Sequence, residues 1–235
     1  MAVINCSYTG GAFTTSLYGG SSYNNGGQMT INSVTYNTDT GKYSISYKAT
    51  LYDKTGDSGR YSSTARYVAI GGTQQIFSTS TISWSGWTSG YVIKEDTYTT
   101  TSTSIYFYIK CMFNYGYSAD RWNNGTGCVD GGSTMTITPP SASFNLNVLN
   151  PDGSEPYSTG EAGSVEQSVN GGGYSRIHNE QASSYSIGTS LAYRNFTPGT
   201  GRHLSSVGGL SPNNTTGPWT ASVGSGGLTV TFQTA

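Results

Sequence analysis

The chain has 235 residues, room for one large or two ordinary domains, and carries 33 Gly, 19 Tyr and only 10% charged residues where about 25% is usual. A formal net charge of −1 leaves no basic footprint for nucleic acid or an anionic membrane, and 13% aromatic residues exclude a charge-rich disordered chain. The few charges are spread without polarity: 8 Lys/Arg against 7 Asp/Glu in residues 1–140, and 3 against 5 in residues 141–235.

Residues 1–27 alternate short apolar runs with the pairs Gly10-Gly11, Gly19-Gly20 and Gly26-Gly27. A short strand near 2–6 followed by an arm or hairpin is expected. The first residues have neither the basic nor the apolar segment of a secretory leader, so none is expected. No stretch approaches the ~18 consecutive apolar residues of a membrane-spanning helix, so no membrane insertion is expected either.

Strand signals then recur at regular spacing over 28–36, 42–51, 64–70, 74–84, 91–98, 104–113 and 128–137. In 42–51, Tyr43, Ile45, Tyr47, Ala49 and Leu51 share one face and Lys42, Ser44, Ser46 and Lys48 the other. In 104–113, Ile105, Phe107, Ile109, Cys111 and Phe113 alternate with Tyr106, Tyr108 and Lys110. A period of two in β-branched and aromatic residues marks half-buried strands. Turn-bounded strands every ~8–12 residues predict an antiparallel β-sandwich of immunoglobulin type over 28–138.

Thr138-Pro139-Pro140-Ser141 ends this run, since proline cannot donate to a strand ladder. Beyond it, weaker strands near 144–148, 165–169, 174–178, 191–196, 219–223 and 228–232 predict a smaller β-module over 142–235. No helical-period apolar stripe occurs in either half. The fold expected is all-β, two antiparallel immunoglobulin-like sandwiches in tandem.

Three cysteines, Cys6, Cys111 and Cys128, do not make a disulfide framework, although Cys111 and Cys128 flank one loop and could be bridged if their strands are neighbours. His178 and His203 are the only histidines, with no nucleophile elbow and no metal-type His/Cys spacing. Carboxylate pairs that could hydrolyse glycosides are Glu95 with Asp96, Asp120 with Asp130, and Glu161 with Glu166, but turn and surface roles account for such acids equally well. Asn150-Pro151-Asp152-Gly153-Ser154 with Glu161 faintly echoes a calcium loop, yet Glu155 stands where glycine is required. No cofactor or metal is expected.

The aromatic side chains carry the strongest signal. Trp122 lies between Arg121 and Asn123-Asn124, with Asp120 adjacent and Tyr115 and Tyr117 close in sequence. Flat rings stack on the apolar faces of sugars while amides and carboxylates bond their hydroxyls, so Trp122, Tyr117 and Trp87 are the expected ring platforms and Asp120, Asn123 and Asn124 the polar partners. The competing reading makes Trp84, Trp87 or Trp219 part of a core.

Through Val34-Thr35-Tyr36, Gly41-Lys42-Tyr43-Ser44-Ile45-Ser46-Tyr47 and residues 106–114, the first module resembles immunoglobulin-like modules of tailed-phage tail and receptor-binding proteins. The second, from Phe144-Asn145-Leu146-Asn147-Val148 to Leu228-Thr229-Val230-Thr231-Phe232, looks like the small β-modules that end such virion proteins or bacterial adhesins. The resemblance implies a non-enzymatic protein at the virion or extracellular surface: a tail fibre, baseplate or head decoration. Its implied partners are a host-surface glycan, other virion proteins and further copies in a homo-oligomer. The alternatives are a purely structural assembly subunit or filament-forming adhesin without a glycan site and, more remotely, a cell-wall or capsule polysaccharide hydrolase.

Overall fold

The computed structural model describes residues 3–18, 26–52, 58–77, 83–85, 90–114, 128–156, 161–179 and 184–235. Every regular element among them is a β-strand. The described chain forms two compact units, Val3–Thr138 and Pro139–Ala235, divided where Pro139 follows the last strand of the first.

The first unit contains β1 (Val3–Asn5), β2 (Tyr8–Gly10), β3 (Phe13–Tyr18), β4 (Gly26–Asn37), β5 (Lys42–Tyr52), β6 (Ser58–Ile70), β7 (Thr73–Ile76), β8 (Ser83–Ser85), β9 (Tyr91–Thr100), β10 (Ser104–Asn114) and β11 (Cys128–Ile137). Their hydrogen-bonded order is β7-β6-β10-β11-β3-β4-β5-β9, with β1 added on β4, β2 on β11 and β8 on β6. The segment expected as an arm supplies the link in this order. Phe13–Ser16 of β3 pair with β4, whereas Leu17 and Tyr18 pair with β11. The strand expected over 74–84 comprises β7 and β8, which keep one register against β6, at Tyr67↔Ile76 and Arg60↔Ser83.

The alternation read from β10 determines its burial. Ile105, Phe107, Ile109 and Cys111 are at most 2% exposed, while Tyr106 on the other face is 49% exposed. They meet Ile45, Tyr47, Ala49 and Leu51 of β5 in one core, with Tyr47 edge-on to Phe107 at 6.0 Å. Each fully buried aliphatic or aromatic side chain of this kind contributes roughly 1.5–3 kcal/mol. Cys111 faces this core opposite Val129, and Cys128 lies opposite Met112, so the two cysteines are one position out of register.

The second unit holds β12 (Ser141–Leu149), β13 (Gly163–Val169), β14 (Ser175–Ile177), β15 (Ser184–Ser186), β16 (Ser190–Pro198), β17 (Leu204–Gly208), β18 (Trp219–Ser222) and β19 (Leu228–Thr234). They form two four-stranded sheets, β15-β12-β19-β17 and β14-β13-β16-β18. One pairing departs from the antiparallel arrangement expected: β12 and β19 run parallel, from Phe144↔Leu228 to Leu149↔Gln233. A parallel pair needs a long crossover, and the whole second sheet lies within the connection that provides it. Phe144, Leu146, Val148, Val165, Tyr193 and Phe232 fill the core. Trp219, left between core and surface by the sequence, is 3% exposed and belongs to that core.

Candidate functional site

Trp87, Tyr117, Asp120, Trp122, Asn123 and Asn124, the residues expected to bind glycan, all lie outside the described residues. The strands that carry them are described, and their register places their attachment points. β10 runs out at Asn114 and β11 begins at Cys128, with Met112 opposite Cys128. At this end β10 also pairs with β6, Asn114 opposite Arg60, after a register shift between Cys111 and Phe113. The first residues of β6 pair in turn with β8, so that Gly59 lies opposite Trp84. The Trp87 segment therefore departs two strands, roughly 10 Å, from where the Trp122 segment departs.

The same end collects further connections. β3 finishes at Tyr18, opposite Cys128, and β4 starts with Gly26 opposite Tyr52, the last residue of β5. β9 begins at Tyr91, opposite Leu51 near the end of β5. The attachment points of segments 19–25, 53–57, 86–89 and 115–127 thus lie at one end of the unit. Between them these segments hold Tyr23, Trp87, Tyr115, Tyr117 and Trp122, with Asn24, Asn25, Asn123 and Asn124. Sequence reading of single loops found two of the four; the other two become relevant only through strand register.

Asp96, Asp130, Asp152, Glu161 and Glu166 are engaged by cations or by hydrogen-bond donors. Lys110 Nζ lies 3.4 Å from Asp130, which also accepts from the Tyr108 hydroxyl. Asp96 is hydrogen-bonded by Lys94 and by the Thr97 amide, which together hold its carboxyl below the usual range. Glu161 lies 3.3 Å from Arg202, which also bonds Asn150. The calcium-like loop is closed by its own bonds: Asn150 N–H to Ser154 O at 3.0 Å and Ser154 Oγ–H to Asp152 Oδ1 at 2.6 Å. A guanidinium thus joins the first and last positions of that echo. Among the described residues, no group of three or more His, Cys, Asp or Glu could hold a metal ion. His178 Nδ1 lies 3.3 Å from the Gly163 carbonyl oxygen.

A second feature was not anticipated: a cleft of about 660 Å³ in the C-terminal unit. Half-buried Phe196 and Leu204, with buried Trp219, line it beside exposed Arg194, His203 and Thr216. A bulge shapes one wall. Asn195 and Phe196 of β16 together oppose Val165 of β13, and Asn195 has φ +51°. Cross-strand pairing sets Glu166 between Arg176 on β14 and Arg194 on β16. Arg194 donates from Nε to Glu166 Oε2 at 2.8 Å, and its Cζ stands 3.8 Å from the centre of the Tyr174 ring. The Arg194 hydrogen bond, supported by Asn195 and by the charges of Arg194 and Arg176, holds the Glu166 carboxyl below its usual range. The facing wall is a turn in which Thr216 N–H bonds Asn214 Oδ1 at 3.0 Å and the Trp219 indole donates to Asn214 O at 2.7 Å. The Asn195-Phe196 polar–aromatic step inside a strand was the signal available in the sequence.

Comparison with known proteins returns no match: no family model, no curated protein and no solved structure aligns significantly with the chain.

Proposed function

We propose that this protein is a non-enzymatic surface protein of a phage particle that binds host-surface glycan through the end of its N-terminal unit. Each unit is read as a β-sandwich, the first of immunoglobulin type, presenting loops from a rigid scaffold. The supporting observation is that the attachment points of four segments lie at one sheet end, three of them, 19–25, 86–89 and 115–127, carrying tyrosine, tryptophan, asparagine or serine. Rings and amides gathered at one tip suit a neutral sugar surface better than the same residues scattered along the strands. Trp122, Tyr117 and Trp87 would supply stacking, and Asp120, Asn123 and Asn124 hydroxyl contacts.

Of the acids nominated as hydrolytic pairs, Asp96 and Glu166 are held below the usual carboxylate range, whereas the general acid of a glycosidase is raised above it. The test is a binding screen of the whole chain against bacterial cell-wall and capsular polysaccharides, with Trp122→Ala alongside. Millimolar-to-micromolar binding that the substitution abolishes is the expected result. No binding by the wild-type chain to any of them, or binding indifferent to Trp122→Ala, would overturn it.

A second reading, an assembly subunit, rests on a different observation. β7 and β9 end the strand order of the first unit, and Ile76 and Val92 on them are 70% and 42% exposed. Unpaired edges are templates for pairing with another copy. Concentration-dependent association in sedimentation, lost on Ile76→Lys, would favour it.

A further inference from the structure

We propose that the cleft of the C-terminal unit is a separate binding site for a carboxylated sugar ring, such as a hexuronate residue of an acidic polysaccharide. Its volume, about 660 Å³, falls within the ~300–1,000 Å³ of small-molecule sites. Its surface is of two kinds. Phe196 is backed by Phe232, ring centroids 5.4 Å apart and nearly parallel at 17°, so its plane is fixed on one face and half-buried beside the cleft. Such a ring offers an apolar platform to the C–H face of a pyranose.

The polar lining is rich in donors. Arg194, Asn195, His203, Thr215 and Thr216 border the cleft, and no Asp or Glu is among the lining residues. With a guanidinium and no carboxylate on its lining, the cleft favours a ligand that brings an anionic acceptor. Arg194 is the placed donor. Its Nε is committed to Glu166 and its guanidinium is held over Tyr174, so the group is fixed in place with little side-chain freedom left to lose.

Charge selects the class of anion. Arg176 and Arg194 flank one ionised Glu166, leaving one positive charge in excess. That balance matches a carboxylate monoanion and leaves a phosphate dianion half-compensated. The aromatic floor then requires the carboxylate to be attached to a ring.

The test is calorimetric titration of the whole protein with a galacturonic acid trimer, a neutral glucose trimer and inorganic phosphate. Wild type, Arg194→Gln and Trp122→Ala are compared. The acidic trimer should bind with a dissociation constant below about 1 mM, at least about tenfold tighter than the neutral trimer or phosphate. Arg194→Gln should weaken it at least about tenfold, and Trp122→Ala should leave it unchanged, which separates this site from the proposed glycan tip. Because Arg194 also anchors Glu166, amide shift mapping on wild-type protein supplies an independent measure. The acidic trimer should perturb residues 194–198 and 215–219. Equal affinity for acidic and neutral trimers, no binding of the acidic trimer, or shifts confined to other residues would overturn the proposal.

Discussion

Gln167 donates a 2.8 Å hydrogen bond to the Tyr193 hydroxyl inside the C-terminal unit, where Tyr193 is fully buried and Gln167 is 8% exposed. Adjacent strands carry the two residues, since β13 pairs Gln167 with Tyr193 of β16. A polar bridge therefore sits where the rest of the core is aromatic and aliphatic. Burial drives the Tyr193 phenol pKa far up, so it stays a neutral hydroxyl across any working pH.

Tyr193→Phe should consequently destabilise this unit by about 1–3 kcal/mol, because it strands a buried amide donor rather than merely removing a contact. Tyr185→Phe is the control. Its hydroxyl is 3.5 Å from Gln167 Oε1 and only partly buried, so its loss should cost under about 1 kcal/mol. Urea unfolding of the two variants measures the difference.

Tyr47 gives the N-terminal unit a response to alkali. Burial, with the negative charge of its cross-strand neighbour Asp96 adding to it, raises its phenol to about 12. In the unfolded chain the value is about 10. The unfolded state thus releases its proton first. Stability from this group is intact below pH ~10 and is lost as pH rises from ~10 to ~12. Tyr47→Phe should flatten that part of the denaturation-versus-pH profile.

The strand ladder around these residues was readable because burial and alternation coincide. Tyr43, Ile45 and Tyr47 on β5 and Ile105, Phe107 and Ile109 on β10 are inward in the sequence pattern and at most 5% exposed in the fold. β15 and β17 were not readable. Ser184-Tyr185-Ser186 and Leu204-Ser205-Ser206-Val207-Gly208 are too short and too serine-rich for a period to register, and pairing with β12 and β19 makes them strands. The parallel β12–β19 pair was invisible for a similar reason, because alternation carries no direction. Of the site, composition indicated the Trp122 segment, whereas the convergence of four attachment points required register. The cleft depends on a bulge at Asn195 and a turn at 214–218, features set by tertiary partners rather than by any periodicity.

Phe232 should behave as the keystone of the C-terminal unit alone. Its ring contacts Tyr193, Phe196 and Trp219 at centroid distances of 5.8, 5.4 and 5.3 Å. Phe232→Ala should cost about 3–5 kcal/mol. Because the described residues cluster into two units with separate cores, the loss should shift the transition of residues 139–235 and leave that of residues 3–138 in place. Hydrogen exchange resolved by residue would show which amides lose protection. Equal loss in both units would mean that their stabilities are coupled.

Gly217 sets the wall of the cleft for two separable reasons. Its φ is +45°, and a Cβ there would stand 2.9 Å from the Trp219 ring. Gly171 shares the first condition, with φ +73°, but nothing lies within 4 Å of its Cβ position. Alanine at Gly171 should therefore cost only the left-handed backbone penalty, about 1 kcal/mol. Alanine at Gly217 should cost about 2–4 kcal/mol, since the indole is itself pinned by its 2.7 Å bond to Asn214 O and cannot yield cheaply. The difference between the two variants, read from parallel denaturation curves, isolates the contact with Trp219. If Gly217→Ala proves no worse than Gly171→Ala, the turn moves freely away from the indole and the cleft wall is softer than its hydrogen bonds imply.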